Sequence, residues 1–476
     1  MSNSSASRSE GPTTRDGSTN SGSAPSLVFA IVCVGTILPN LDLFSVTIAL
    51  PRMADDFKGA RLEDLSWILN AYAIAYAALL VFFGRVAEGF RRDRSFILGI
   101  AIFTLAAAAC AAASSVWEMV ALRVLAAAGA ALMTPTSLGL LLATFAPERR
   151  GAAVRNWAAI GGFASALGPI VGGLLVSINW RWIFLLNAVV GLVAIALAWR
   201  SLPHVPGQDV KRPSLLGALL ATAGISALVF TIIKINTWGW QSPAIGASAA
   251  AAVALLGLFV THSLRAPNPL VDHRLFWIRD FNAAALTMFP YSLTFGAMLF
   301  SVSVWNQAAW GWTALQTALL IIPGPLLVPF TSMLFTNKLI GRFGIAGVVT
   351  IGIVFVIVGF GLWATFLGLR PNAALIVAGM VLNGIGVGLL FPTLMGVSTQ
   401  ALPPSSFATD SGVINMIRQT AMAIGVAIFV AIIGSPASPQ ARLEAFQVGW
   451  WVMAAITALA LIPTFSLLRP LDRRDN

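Results

Sequence analysis

The chain has 476 residues, of which 58% are hydrophobic and only 10% charged, with a formal net charge of +11. A water-soluble domain carries about 25% charged residues and about 45–50% apolar ones, and a mean hydropathy of +0.84 lies far on the apolar side. These figures exclude a soluble enzyme, a disordered scaffold and a nucleic-acid binder. The basic residues stand in short clusters between apolar runs, a placement that orients a membrane protein and does not read phosphate. Cys33 and Cys110 both fall inside apolar runs and offer no disulfide framework, metal cluster or redox motif.

In chain order, residues 1–25 are Ser, Gly, Thr and Asn with scattered charges. They read as a solvated, disordered cytoplasmic tail without the ordered segments of a signal peptide. A bilayer span needs about 20 residues, because ~30 Å of hydrocarbon is crossed at about 1.5 Å per residue. Runs of that length occur near 26–49, 65–86, 95–115, 118–145, 152–178 and 182–201. Two more lie near 214–236 and 243–264, and six near 281–303, 314–336, 346–367, 372–396, 410–434 and 447–468. The expected fold is all-α and integral to the membrane, with fourteen transmembrane helices.

With the N-terminus inside, the cytoplasmic loops and both tails hold nineteen of the Lys and Arg residues and the opposite side seven, while Arg123, Arg155 and Arg418 lie within spans. That bias predicts a multi-pass protein with both termini in the cytoplasm. A basic turn after the second span, Gly84 to Arg92, is echoed after the tenth by Asn337 to Gly344, with Phe90 aligned on Phe343 at an offset of 253. The layout is thus a six-helix bundle over 26–201, two extra helices with their loops over 202–280, a second six-helix bundle over 281–468 and a tail over 469–476. Trp238, Trp240, Trp305, Trp310 and Trp312 fall near span ends, where interfacial anchors are expected.

Asp42 is the one acid placed well inside a span. Counted from the outer ends of the first and fourth spans, Asp42 and Arg123 lie ~10 Å and ~8 Å deep, so they can meet at one level. Desolvation disfavours the carboxylate's charge and a guanidinium favours it, which ties protonation to conformation. The plainer alternative is a fixed pair, or a cap after Pro39-Asn40. Gly168 and Gly172 are four residues apart and allow close helix approach, while Pro169 removes a helical hydrogen bond. With Gly173 they form either a pliable seam or simple tight packing. Gly84, Glu88, Arg91, Arg92 and Arg94 form a cytoplasmic gating loop or a purely topological one. Arg155 lies near enough to the inner boundary to snorkel. Candidates for a substrate cavity are Tyr72, Tyr76, Met133, Tyr291, Phe295, Asn383, Phe391, Asn415, Arg418 and Gln419, since aromatics and Met tolerate varied apolar molecules. Ordinary packing is the alternative for each of them. His204, His262 and His273 are too scattered for a metal site, and no phosphate-binding loop appears. No cofactor is expected, and the energy source is an ion gradient.

Several blocks resemble the fourteen-helix drug:proton antiporters of the major facilitator superfamily. They are Leu41-Asp42 with Ile48-Ala49-Leu50-Pro51, Trp67-Ile68 with Tyr72, the loop from Gly84, and Arg123 with Gly129-Ala130. Gly168-Pro169-Ile170-Val171-Gly172-Gly173, Trp180 to Phe184 with Asn187, and Asn415 to Gln419 with Gly425-Val426-Ala427 complete the set. The chain departs from that family's pattern at Phe44, Thr47, Glu88, Gly89, Arg91, Ala126 and Ala127. The resemblance implies two six-helix bundles that rock about a midplane site, with Asp42 and Arg123 coupling protons and the Gly168–Gly173 block accompanying antiport. The expected activity is proton-coupled export of lipophilic small molecules such as drugs, antibiotics or secreted metabolites across the cell (inner) membrane, by a monomer without nucleic-acid partners. An importer or uniporter on the same scaffold, or a non-transporting receptor, are the alternatives.

Overall fold

The computed structural model describes residues 25–57, 60–207, 213–400 and 407–468. Residues 1–24 of the expected N-terminal tail, and the tail expected over 469–476, lie outside the described residues. Among the described residues every regular element is helical. The first group comprises α1 (Pro25–Asp56), α2 (Leu62–Glu88), α3 (Arg92–Ala112), α4 (Val116–Thr144), α5 (Pro147–Ile178) and α6 (Arg181–Ser201). Then come α7 (Leu215–Trp238) and α8 (Pro243–Arg265), followed by α9 (Arg279–Val304). Next, α10 (Ala314–Ile321), α11 (Pro323–Thr331), a π-helical turn at Ser332–Thr336 and α12 (Asn337–Phe366) run on from one another. The last long helices are α13 (Ala373–Gln400), α14 (Phe407–Ile433) and α15 (Pro439–Leu459).

Thirteen stretches among the described residues are long and apolar enough to cross a bilayer. One of them, Ala314–Phe366, is 53 residues long. Straight, it would measure ~80 Å, more than twice the hydrocarbon thickness. Gly344 breaks it, with φ 71° and ψ 175°, a backbone conformation essentially restricted to glycine. The helices also overrun the apolar runs that announce them. The first run ends near 49, yet α1 continues through Pro51 to Asp56, and Leu50 and Met53 stay buried on it. The last run begins near 447, yet α15 starts at Pro439. There the Ser438 hydroxyl accepts from the Ala441 amide at 3.1 Å, and proline occupies the first turn, where no amide partner is lost.

Helices α1–α6 pack on one another, as do α9 and α12–α15, and the two groups meet along α1–α9, α2–α14 and α5–α10. At the end of the molecule away from the start of α1, called here the far side, Ser303 Oγ donates to the Thr47 carbonyl at 3.0 Å and Gln307 Nε2 to the Ile48 carbonyl at 3.1 Å. Helices α7 and α8 pair, and α7 lies across the α2–α14 junction. On that helix Lys234 pairs with Glu63 at 3.3 Å and Asp64 at 3.7 Å, Thr237 donates to Glu63 at 2.8 Å, and the Asn236 amide reaches the Ala431 carbonyl. One extra helix is thereby tied to both groups. Trp240 is exposed beyond the end of α7, in keeping with an interfacial position. Trp305 departs from that expectation. It is fully buried, 5.0 Å from Phe446 and 5.7 Å from Trp450 between ring centroids, where it continues the buried face of α9 at the start of a π-helical turn over Trp305–Ala309.

The α9–α14 contact is closest at two glycines. A Cβ on Gly296 would sit 2.5 Å from the Met422 carbonyl oxygen, and one on Gly425 would overlap the Leu293 carbonyl. Gly425→Ala should therefore cost about 1–3 kcal/mol by overpacking, read as a lower thermal midpoint of the purified protein. Gly257→Ala on α8, where a Cβ meets open space, should match the parent or slightly exceed it. Equal midpoints for the two variants would contradict the packing.

Candidate functional site

The deepest polar cluster joins α1, α2, α4 and α6. Arg123 Nη1 donates to Asp42 Oδ2, Asn187 Nδ2 donates to Asp42 Oδ1 at 2.9 Å, and Arg123 Nε donates to the Ile68 carbonyl at 3.2 Å. The Tyr72 ring lies against the guanidinium, 4.1 Å from centroid to Cζ. The side chains of Asp42 and Arg123 are each 1% exposed. Taking such ions out of water costs several kcal/mol apiece, and only good geometry with additional hydrogen bonds offsets it. Here both carboxylate oxygens are engaged. Arg123 Nη2 and Asn187 Oδ1, by contrast, are buried with no partner among the described residues. Protonating Asp42 would remove the charge that balances Arg123 and leave a buried cation uncompensated.

The Gly168–Gly173 block places α5 between the two helix groups. A Cβ on Gly168 would sit 2.5 Å from Phe44 Cβ, and one on Gly172 would sit 2.8 Å from Ser45 Cα. Ser45 Oγ also donates to the Gly168 carbonyl at 2.8 Å, so this face of α5 lies directly on α1. Gly173 faces the other way, where a Cβ would meet Ala318 Cβ of α10 at 2.6 Å. Pro169 borders a small void with Phe44, Thr47, Ile48, Leu299 and Ile321, which belong to both groups.

In the loop after α2, Arg91 grips Asp93 through two hydrogen bonds of 2.6 and 3.3 Å, and Arg92 Nη1 donates to the Gly139 carbonyl of α4 at 3.2 Å. Arg85 donates to the Pro269 carbonyl at 3.0 Å, joining the end of α2 to the segment before α9. Gly84 lies beside Pro135 of α4, and Arg94 is exposed. The side chains of Glu88 and Arg155 lie outside the described residues.

A cavity of about 30 Å³ lies between α1, α2, α9 and α14, bordered by Thr47, Asn70, Gly296, Gln419 and Met422 among others. Of the expected cavity residues, Gln419 alone borders it. Tyr72 and Tyr76 stack with centroids 5.9 Å apart and planes within 6°, and Tyr76 donates to Thr134 at 3.3 Å. Arg418 lies over Phe391 at 5.0 Å and within electrostatic reach of Tyr76 and Tyr291. Tyr291, Phe295 and Phe44 form a chain of rings across α9 and α1 at 6.2 and 6.4 Å. Asn415 is half-buried one turn from Gln419. Two candidates sit elsewhere. Met133 meets Gly99 in the α3–α4 seam, and Asn383 donates to the Gly379 carbonyl at 2.9 Å beside Gly359 of α12. Sequence reasoning did not single out Asn187 or Asn70 as site residues. Each is a lone amide within an apolar span, which was the available signal.

These features define a polytopic membrane transporter. Residues 32–426 match the family model of the Major Facilitator Superfamily. The chain is 30% identical over 409 residues to the methylenomycin A resistance protein of Bacillus subtilis (strain 168), covering 85% of this chain and 87% of that one. It is 30% identical over 411 residues to the tetracenomycin C resistance and export protein of Streptomyces glaucescens, covering 85% and 74%. Among solved structures it is similar in fold to one described under substrate recognition in proton dependent oligopeptide transporters, with a TM-score of 0.66 at 13% identity, covering 95% of this chain and 100% of that one. The chain belongs to the Major Facilitator Superfamily. It is a multi-pass membrane transporter of small organic molecules and not an enzyme.

Removing one partner of a buried pair strands the other, at a cost of about 3–5 kcal/mol. Arg123→Gln and Asp42→Asn should each lower the thermal midpoint, and the double variant should fall short of their sum by about 1–3 kcal/mol of coupling. Strict additivity in that cycle would show that the pair contributes nothing to the folded state.

Proposed function

We propose that the protein is a proton-coupled exporter of lipophilic small molecules, working by alternating access of two six-helix bundles. The observation that carries this reading is the buried Asp42 carboxylate held by Arg123 and Asn187, a titratable group in apolar surroundings with one charged partner to gain or lose. The Gly168–Gly173 block supports it, because one face of α5 lies on α1 of its own bundle and the other on α10 of the opposite one. The names of the relatives, one an antibiotic resistance protein and one a resistance and export protein, support the direction. The break at Gly344 supports dividing Ala314–Phe366 into two crossings, which makes fourteen, an even number that keeps both termini on one side. The Lys and Arg bias of the loops supports the cytoplasmic side of the cell membrane, and the proposed working unit is the monomer. The loop holding Arg91, Arg92 and Arg94 then faces the cytoplasm, where the hold of Arg92 on α4 serves as part of a gate.

Proton-driven uptake is the second reading, favoured by the fold shared with the proton dependent oligopeptide transporters. The same carboxylate–guanidinium pair serves either direction, so sidedness decides between them. Everted membrane vesicles energised with an inward-acid gradient should accumulate a lipophilic substrate, and right-side-out vesicles should expel it. Asp42→Asn should reduce the gradient-driven component to the level of empty vesicles while the protein remains folded in the membrane. Uptake into right-side-out vesicles under an outside-acid gradient would replace export with import. Full gradient response in the Asp42→Asn variant would remove the proton role. Cysteines introduced at Ser21 and Arg473 should resist impermeant reagents in intact cells, and labelling at either would overturn the orientation.

A further inference from the structure

The chain contains 29 Phe and 15 Trp but only three Tyr. All three gather at two arginines of the spans, Arg123 and Arg418: Tyr72 lies against Arg123, and Tyr76 and Tyr291 lie within electrostatic reach of Arg418. The two arginines differ in how their charge is balanced. Arg123 has Asp42. Lys234, half-buried on α7, has Glu63 and Asp64. Arg418 stands near the middle of α14, and among the described residues no carboxylate pairs with it and its buried Nε has no hydrogen-bond partner. Its guanidinium lies over the Phe391 ring at 5.0 Å, and Arg418, Tyr76 and Phe391, from three different helices, all keep partial exposure. Among the described residues these two guanidinium groups thus have one paired carboxylate between them, leaving one positive charge.

An isolated cation in apolar surroundings is expensive, and a neighbouring aromatic face compensates it only in part. A planar guanidinium offers several parallel donors matched to a carboxylate or similar oxyanion, and the Phe391 ring beneath it suits an apolar body. We propose that Arg418 is the specificity-determining residue for substrates of one class, lipophilic organic anions, with the charged group at Arg418 and the apolar part among Tyr76, Tyr291 and Phe391. This rests on the transport reading above and names its substrate class. It also links substrate to coupling site by contact, since Tyr76 stacks on Tyr72 and Tyr72 lies against Arg123. A cationic substrate would meet that positive charge, and the Asp42 carboxylate is already committed to Arg123 and Asn187.

The test uses binding, without a gradient, so that it stands apart from the direction of transport. Full-length protein in phosphatidylcholine nanodiscs is titrated with pyrenebutyrate, its uncharged amide and pyrenebutylammonium, and the signal of empty nanodiscs is subtracted. The wild type should bind the carboxylate at least about tenfold more tightly than the amide or the ammonium. Arg418→Gln should lose that preference while the amide's Kd stays within about twofold, and Arg418→Lys should retain part of it. Equal binding of the three probes by the wild type, or binding of none, overturns the proposal without reference to any variant. So does an anion preference that survives in Arg418→Gln. Loss of amide and carboxylate binding together in both variants would make Arg418 structural and likewise overturn it.

Discussion

A charge inside hydrocarbon must be balanced or be put to use, and that constraint organises the centre of this molecule. Asp42 would be too costly alone in α1, so Arg123 of α4 and Asn187 of α6 converge on it, and the guanidinium's remaining contacts reach α2 through the Ile68 carbonyl and Tyr72. Four helices are therefore held at one level by one carboxylate. The cluster is incompletely satisfied, with Arg123 Nη2 and Asn187 Oδ1 unpartnered. Unpartnered polar atoms in a low-dielectric interior are costly, and a rearrangement that paired them would recover that cost.

The alternating access proposed above also needs surfaces that slide. Helix α5 supplies them through glycine, lying on α1 by Gly168 and Gly172 and on α10 by Gly173. Without side chains to interlock, these contacts pack closely and still permit small displacements. The central cavity of about 30 Å³ shows why displacement is required. A drug-sized ligand occupies a pocket of roughly 300–1,000 Å³, so the conformation described here, with α1 and α9 bonded on the far side, cannot enclose one. On that proposal the two helix groups must part for substrate to enter, and the Ser303 and Gln307 bonds to α1 are among those that opening on the far side would break.

Much of the site could be read from residue positions alone. Depth along a helix follows from counting, and the count from span ends put Asp42 and Arg123 at one level. Rotation about the helix axis does not follow from counting, so neither the partnership of Asn187 nor the face presented by Tyr72 was legible. The same gap explains Met133 and Asn383. Both are unusual residues in apolar spans, yet each is turned into a seam within its own helix group. Trp305 was assigned by proximity to a span end, and its place on the inward face of the helix puts it among Phe446 and Trp450. The start of α15 was legible in Ser438-Pro439 but hidden by the charged residues Arg442 and Glu444, which hydropathy counts against a span. The scarcity of tyrosine was visible throughout, and its meaning emerged only when all three residues fell around two arginines.

The claim that everything else leans on is that Asp42 exchanges its proton inside the folded protein. Infrared difference spectra of the reconstituted protein, recorded between neutral and acidic pH, read protonated carboxyl groups directly. The wild type should show a titrating carbonyl stretch at the high frequency of a poorly hydrated carboxylic acid, absent from the Asp42→Asn protein. The same band in both proteins, or no buried carboxyl band in either, would mean that Asp42 is a fixed structural partner of Arg123 and carries no proton.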